Sequence, residues 1–271
     1  MTRDLSDHSA DHQAALTYSK YLAVDELLKL QNPLSDGPEH DELLFIIIHQ
    51  TYELWFKQLL HETQAAQSAL ESGDTYGALA LLGRIRTILK ICVAQIDILE
   101  TMTPLQFNSF RSRLESASGF QSVQFREFEA ILGRRDTKAA AHLEPESRER
   151  VEARMRERSL WDSVLHFVLN RGFLIPDEII NRDVAMPYQA NAPVQAALID
   201  LHRGDSEAAL VCERLVDIDE GLQEWRYRHV KMVERTIGHK VGTGGSSGAG
   251  YLAGTLFKPV FPDLWEIRSA F

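Results

Sequence analysis

Long apolar runs are missing from this chain: no stretch approaches the roughly 20 apolar residues needed to cross a bilayer. The opening MTRDLSDHSADHQAAL likewise has no apolar core of the kind a signal peptide carries. A cytoplasmic protein with no membrane partner is the expectation. Cysteine is scarce. Cys92 and Cys212 are far apart and neither sits in a CxxC context, which excludes a disulfide framework and points to two buried free thiols. A basic excess is absent too, since the formal net charge is -10. Nucleic acid is therefore not an expected partner, because phosphate-backbone binding rests on clustered Lys and Arg. No internal repeat, low-complexity tract or convincing strand pattern stands out.

What is present is helical periodicity. The stretch LLFIIIHQTYELWFKQLL predicts one long helix from about Glu39 to Ser72, stopped by Gly73, and Asp74 is placed to cap the next, TYGALALLGRIRTILKICVAQIDILETM. Thr103-Pro104-Leu105-Gln106 has the form of a capping box with proline in the first turn, opening a helix that runs through Phe107, Phe110 and Arg111 toward Leu114. A break near Ser116 to Ser118 and a helix from near Phe120 follow. The charge-rich residues 134–160 read as a solvated helical excursion without chemistry. Pro176, Pro187 and Pro193 mark an irregular connection before helix resumes near Gln195, and a last long helix runs from about Ser206 to Ile237, ending at Gly238. The fold class expected is all-α: a helical bundle in one domain over residues 16–271, preceded by a flexible segment, residues 1–15.

Several residues on this framework are suited to chemistry. His49 follows Phe45, Ile46, Ile47 and Ile48 in the most apolar part of the first long helix, where an imidazole is either a hydrogen-bonded core residue or a functional one. His229 shares a helix stripe with Trp225, Met232 and Val233 and has the same two readings. Arg111, beside Phe107 and Phe110, is either a carboxylate clamp or a surface arginine covering an apolar patch. The segment GTGGSSGAG follows no strand and lacks the Gly-Lys-Ser/Thr of a nucleotide loop. Its glycines and the hydroxyls of Thr243, Ser246 and Ser247 suit a lid closing over a small ligand better than a plain linker.

Six segments then carry a resemblance. LTYSKYL, HDELLFIIIHQTYELWFKQLLHE, ILETMTPLQFNSFRSRL, SASGFQSVQFRE, WRYRHVKMVERTIG and GTGGSSG stand in the order and at about the spacing found in the tryptophan 2,3-dioxygenases, from about Leu16 to Arg268. The resemblance implies one b-type haem per subunit with His229 as its axial iron ligand, and O2 as co-substrate. It implies that His49 hydrogen-bonds the indole N–H, with Phe45 and the adjoining Ile46, Ile47 and Ile48 forming the substrate wall. By the same resemblance Arg111 grips the substrate carboxylate beside Phe107, and Thr243 contacts the ammonium. The resemblance further implies that Ser118 and Gly119 lie close to the haem and the bound oxygen, and that Tyr18 and Tyr21 reach the pocket of a neighbouring subunit in a homotetramer. The implied reaction is conversion of L-tryptophan to N-formyl-L-kynurenine in tryptophan catabolism.

Two places in the chain depart from the family pattern. Ile96-Asp97 stands where an aromatic-Ser pair is usual, and Arg113 is uncommon at its place. A smaller side chain at Ile96, expected near the haem or the subunit contact, would widen the pocket. That keeps a haem monooxygenase of a substituted tryptophan as the alternative, with a non-catalytic haem or tryptophan sensor more remote.

Overall fold

The computed structural model describes residues 16–37, 39–238, 240, 242 and 249–271. The expected flexible segment, residues 1–15, lies outside the described residues, as does most of the glycine-rich segment, Thr243 included. The described helices are α1 (Tyr18–Leu22), α2 (Val24–Leu27), α3 (Asp41–Ser72), α4 (Thr75–Leu99), α5 (Pro104–Phe110), α6 (Val123–Leu132), α7 (Thr137–Ala140), α8 (Pro145–Met155), α9 (Leu160–Asn170), α10 (Asp177–Ile180), α11 (Ala192–Gly204), α12 (Ser206–Ile237), α13 (Ala249–Ala253) and α14 (Pro262–Glu266). Short 3-10 turns cover Arg111–Leu114, Gly119–Gln121 and Ile267–Ala270. Among the described residues there is no strand, and no helix is long and apolar enough to cross a membrane.

The long helices α3, α4 and α12 form the centre, with α4 packed along both of the others. Their boundaries follow from local chemistry. Gly73 takes the left-handed conformation at φ 78° that closes α3. Asp74 accepts the Gly77 N–H at 2.9 Å to start α4, and Asp205 does the same for α12 through Ala208 N–H at 3.1 Å. The Thr103/Gln106 capping box is formed, with Pro104 in the first turn of α5. The buried stripes of the three helices meet in one core: Leu59 and Leu70 from α3, Leu82 and Ile85 from α4, and Leu215, Ile218 and Leu222 from α12 are all fully enclosed. Cys92 and Cys212 are free and buried in this core, and burial pushes both thiols up to about 12.

Two expectations need correction. The charge-rich stretch 134–160 is not merely a solvated excursion. Val151 and Met155 of α8 bury against Ala130, Ala140 and Leu143, and Arg135 is only 8 % exposed, with its guanidinium donating to the backbone carbonyls of Ala130, Glu157 and Val184. Its charges hide an apolar stripe at helical spacing. In addition, α11 begins at Ala192, ahead of the expected Gln195, because Pro193 fits a first turn that needs no N–H and Asn191 accepts from Val194 N–H at 3.1 Å.

Candidate functional site

A cleft of about 1300 Å3, counted out to its open mouth, lies where α3, α5, α6 and α12 converge. Helical spacing places its groups. On α12, Trp225, His229, Met232, Val233 and Thr236 lie on one stripe and form one wall. Phe45 and His49, one turn apart on α3, line the cleft as well, together with Phe107, Arg111, Ser118 and Gly119. Leu99 and Met102 close the floor from the end of α4, and Leu252 and Thr255 contribute from the C-terminal segment.

Both histidines are held neutral. His49 Nδ1 lies 2.7 Å from the Phe45 carbonyl oxygen, which can only accept, so Nδ1 carries the proton and Nε2 is left as an acceptor. Burial lowers the His49 pKa, and that hydrogen bond offsets the effect only in part. Burial, with the nearby His49 and Arg126 adding to it, pushes His229 down to about 4. The His229 ring stacks on Trp225, with centroids 5.1 Å apart and planes 17° from parallel, while the Phe45 ring rests on His49 at 4.1 Å and within 6 Å of Phe107. The cleft thus joins two neutral imidazoles, an aromatic wall and an arginine.

Not every expected residue reaches it. Ile46, Ile47 and Ile48 do not line the cleft: one helical step is about 100°, so Ile48 turns into the core at 5 % exposure and Ile47 turns outward. Tyr18 and Tyr21 are 77 % and 73 % exposed and do not reach the cleft of their own chain. Thr243 lies outside the described residues, although Gly242 beside it lines the cleft. Conversely, Arg126 and Glu129 of α6 line the cleft without having been singled out from sequence. Glu129 is buried and accepts from Arg126 at 2.5 Å, Arg226 at 2.7 Å and Arg134 at 3.2 Å. Burial alone would raise its pKa, but the guanidinium groups of Arg126, Arg226 and Arg134 together hold it below the usual carboxylate range. The signal available for this cluster was the Arg-x-x-Glu spacing in QFREFE, which sets both groups on one face of a helix.

The tryptophan 2,3-dioxygenase family profile matches residues 4–152 and 203–271. A protein of Herpetosiphon aurantiacus named tryptophan 2,3-dioxygenase is 59% identical over 256 residues, covering 94% of this chain and 98% of its own. One of the same name from Anaeromyxobacter sp. strain K is 57% identical over 268 residues, covering 98% and 100%. The Caulobacter vibrioides protein of that name is 44% identical over 262 residues, covering 94% and 98%. The chain belongs to the tryptophan 2,3-dioxygenase family. That family is one of oxidoreductases. Of the departures from the tryptophan 2,3-dioxygenase pattern, Ile96-Asp97 has a structural account away from the cleft. Ile96 is 2 % exposed in the core between the central helices and lines no part of the cleft, so the expectation that it widens the pocket is corrected. Asp97, on the surface, pairs with Arg228 of α12 at 2.6 Å. Nothing in the structure explains the choice of arginine at Arg113.

Proposed function

We propose that this chain is a haem-dependent tryptophan 2,3-dioxygenase, adding both atoms of O2 across the indole C2–C3 bond of L-tryptophan to give N-formyl-L-kynurenine. The observation that carries this reading is the arrangement of His229, His49 and Arg111 around one aromatic-walled cleft. The donor set fits haem: a buried imidazole kept neutral can ligate iron, and the apolar surroundings of Met232, Val233, Leu99 and Met102 suit a porphyrin face. Haem bound there supplies the redox chemistry by which O2 reacts with the ring.

The chain's own residues bind and orient the substrate. His49 Nε2, an acceptor because Nδ1 is committed to Phe45 O, receives the indole N–H and fixes which edge of the ring faces the reacting centre. Phe45 and Phe107 pack on the ring and exclude water. Arg111 holds the carboxylate through paired N–H donors, and Thr243, by family resemblance, takes the ammonium. Ser118 and Gly119 border the oxygen side of the cleft. The C2–C3 bond breaks and each carbon gains one oxygen atom, so O2 and tryptophan balance the product with no further reductant. Tyr18 and Tyr21, exposed on their own chain, complete the pocket of a neighbouring subunit in a cytoplasmic homotetramer.

The test is product analysis with labelled O2 after anaerobic reduction and addition of L-tryptophan. Two labelled atoms in a ring-opened product are expected. One labelled atom in a ring-closed product would overturn the assignment. The substituted-tryptophan alternative loses its motive, since Ile96 packs in the core.

A further inference from the structure

A second cavity, about 940 Å3 out to its mouth, lies on the other side of Arg226, whose guanidinium is only 4 % exposed and borders both spaces. Its lining is basic in a chain of net charge -10: Arg134, Arg135, Lys138, Arg226 and Lys258 stand against the single carboxylate of Asp136. Arg134 and Arg226 are ion-paired, to Glu129 and, for Arg134, also to Asp136. The other three are not, among the described residues. Lys138 and Lys258 are exposed at the mouth. Arg135 is buried, and its nitrogens donate to carbonyl oxygens of Ala130, Val184 and Glu157; it makes no ion pair itself, and the nearby Asp162 carboxylate is paired with Arg182 at 2.6 Å. A buried cation without an ion pair of its own, beside two exposed unpaired lysines, attracts an anion and raises its local concentration at the cavity.

The rest of the lining selects among anions. Pro187, Tyr188, Pro259 and Val260 add apolar surface to the same cavity. A bare inorganic anion leaves that surface wet, and an amino acid brings an ammonium among the cations. A flat apolar body with one carboxylate satisfies both. We propose that this second cavity is an effector site for a small aromatic carboxylate, separate from the first cleft and whatever reaction that cleft catalyses. Its coupling runs through Arg226, whose Nη2 donates to Glu129, a cleft residue, at 2.7 Å. An anion that attracts Arg226 or Arg134 weakens their hold on Glu129 and changes the charge facing the first cleft, and the linkage is reciprocal.

Calorimetric titration of the full chain with benzoate tests the site, with benzamide and inorganic phosphate as parallel probes. One benzoate is expected per chain, with benzamide and phosphate each at least about tenfold weaker. The double variant Lys138→Glu/Lys258→Glu, altered only at exposed side chains, should bind benzoate at least about tenfold more weakly, and Arg111→Leu should bind it unchanged. Unchanged affinity in the double variant, loss of binding in Arg111→Leu, or no benzoate heat at all would overturn the site; phosphate binding as tightly as benzoate would overturn the aromatic class. For the coupling, benzoate should shift the affinity of the apoprotein for haem in wild type and not in the double variant. Equal haem affinity with and without benzoate would overturn it.

Discussion

The imidazole of His229 lies nearly parallel to the indole of Trp225 one turn earlier on α12, 17° between planes and 5.1 Å between centroids. Trp225 is itself wedged among Tyr52, Phe56 and Phe125, so the ring that orients the histidine is fixed by three helices rather than one. An imidazole held this way would be in place before the proposed haem arrives, with the ordering entropy of the side chain met during folding.

His229→Ala should therefore fold and keep its helical circular dichroism while losing haem. Removing a partner that merely supports a ligand costs about 10–100-fold in affinity, so loss of the ligand itself should exceed that. Haem titration of the purified apoprotein, followed by absorbance, reads the effect. Stoichiometric haem with an unaltered spectrum would assign ligation elsewhere.

Arg111→Leu separates binding from chemistry. The arginine lines the same cleft as the two imidazoles, and a charge-assisted contact to a carboxylate contributes about 1.5–3 kcal/mol, or about 10–150-fold. The Kd for L-tryptophan should rise by that factor while haem content stays at the wild-type level. An unchanged Kd would mean that another cation holds the carboxylate.

Glu129 tests the charge cluster under the cleft. Removing one partner of a buried ion pair leaves uncompensated charge, so Glu129→Gln should lower stability by about 3–5 kcal/mol near neutral pH in urea unfolding. The sign of the pH dependence follows from the direction of the shift. The carboxyl is held below its ordinary 4.5 in the folded state, so its contribution is complete above that value and is lost as pH falls through the folded pKa. The gap between wild type and variant should accordingly narrow below about pH 4.5. A gap that stays constant into acid would show that Glu129 does not titrate with folding.

Much of this arrangement is legible in the amino-acid order because it is set locally. Gly73, Asp74, Thr103, Pro104, Asp205 and Gly238 each stop or start a helix through contacts within four residues, and the i, i+4 stripe from Trp225 to Val233 fixes a wall of the cleft. What periodicity does not convey is which of several apolar faces meets which partner. Ile46, Ile47 and Ile48 look as suited to the substrate wall as Phe45, yet only a helix turned by its packing on α4 decides that Ile48 goes to the core and Ile47 outward. The Arg126–Glu129–Arg226 cluster joins residues 97 positions apart, and the buried Arg135 finds carbonyls from three separate segments. Such pairings depend on the tertiary fold, and from sequence they look like ordinary surface charge.

Asp219 is the anchor by which α12 holds the C-terminal segment against the cleft. It is fully buried, and its Oδ2 accepts from Val260 N at 2.8 Å, Phe261 N at 3.1 Å and Trp265 Nε1 at 3.0 Å, while Oδ1 accepts from Gln223 Nε2 at 3.1 Å. The same segment carries Leu252 and Thr255, which line the cleft a few residues earlier. Asp219→Ala leaves those donors buried without an acceptor, at about 1–3 kcal/mol for each one that water cannot reach. The loss should be local, centred on Val260 and Phe261, because buried Asp263 still accepts from Tyr188 Oη, from Asn191 N at 2.8 Å and from Gln195 Nε2 at 2.8 Å and ties the following residues to α11 without involving the α3–α4–α12 core. Native-state hydrogen exchange should therefore speed up in peptides covering residues 258–267 well before it does in α4, and substrate affinity should fall with it. Asp219→Asn keeps one carbonyl acceptor of the same shape, so it should recover most of the protection of Val260 and Phe261. If both variants exchange like wild type in that segment, the segment is held by Asp263 and by its apolar contacts, Phe261 and Leu264 above all, and Asp219 is not its anchor.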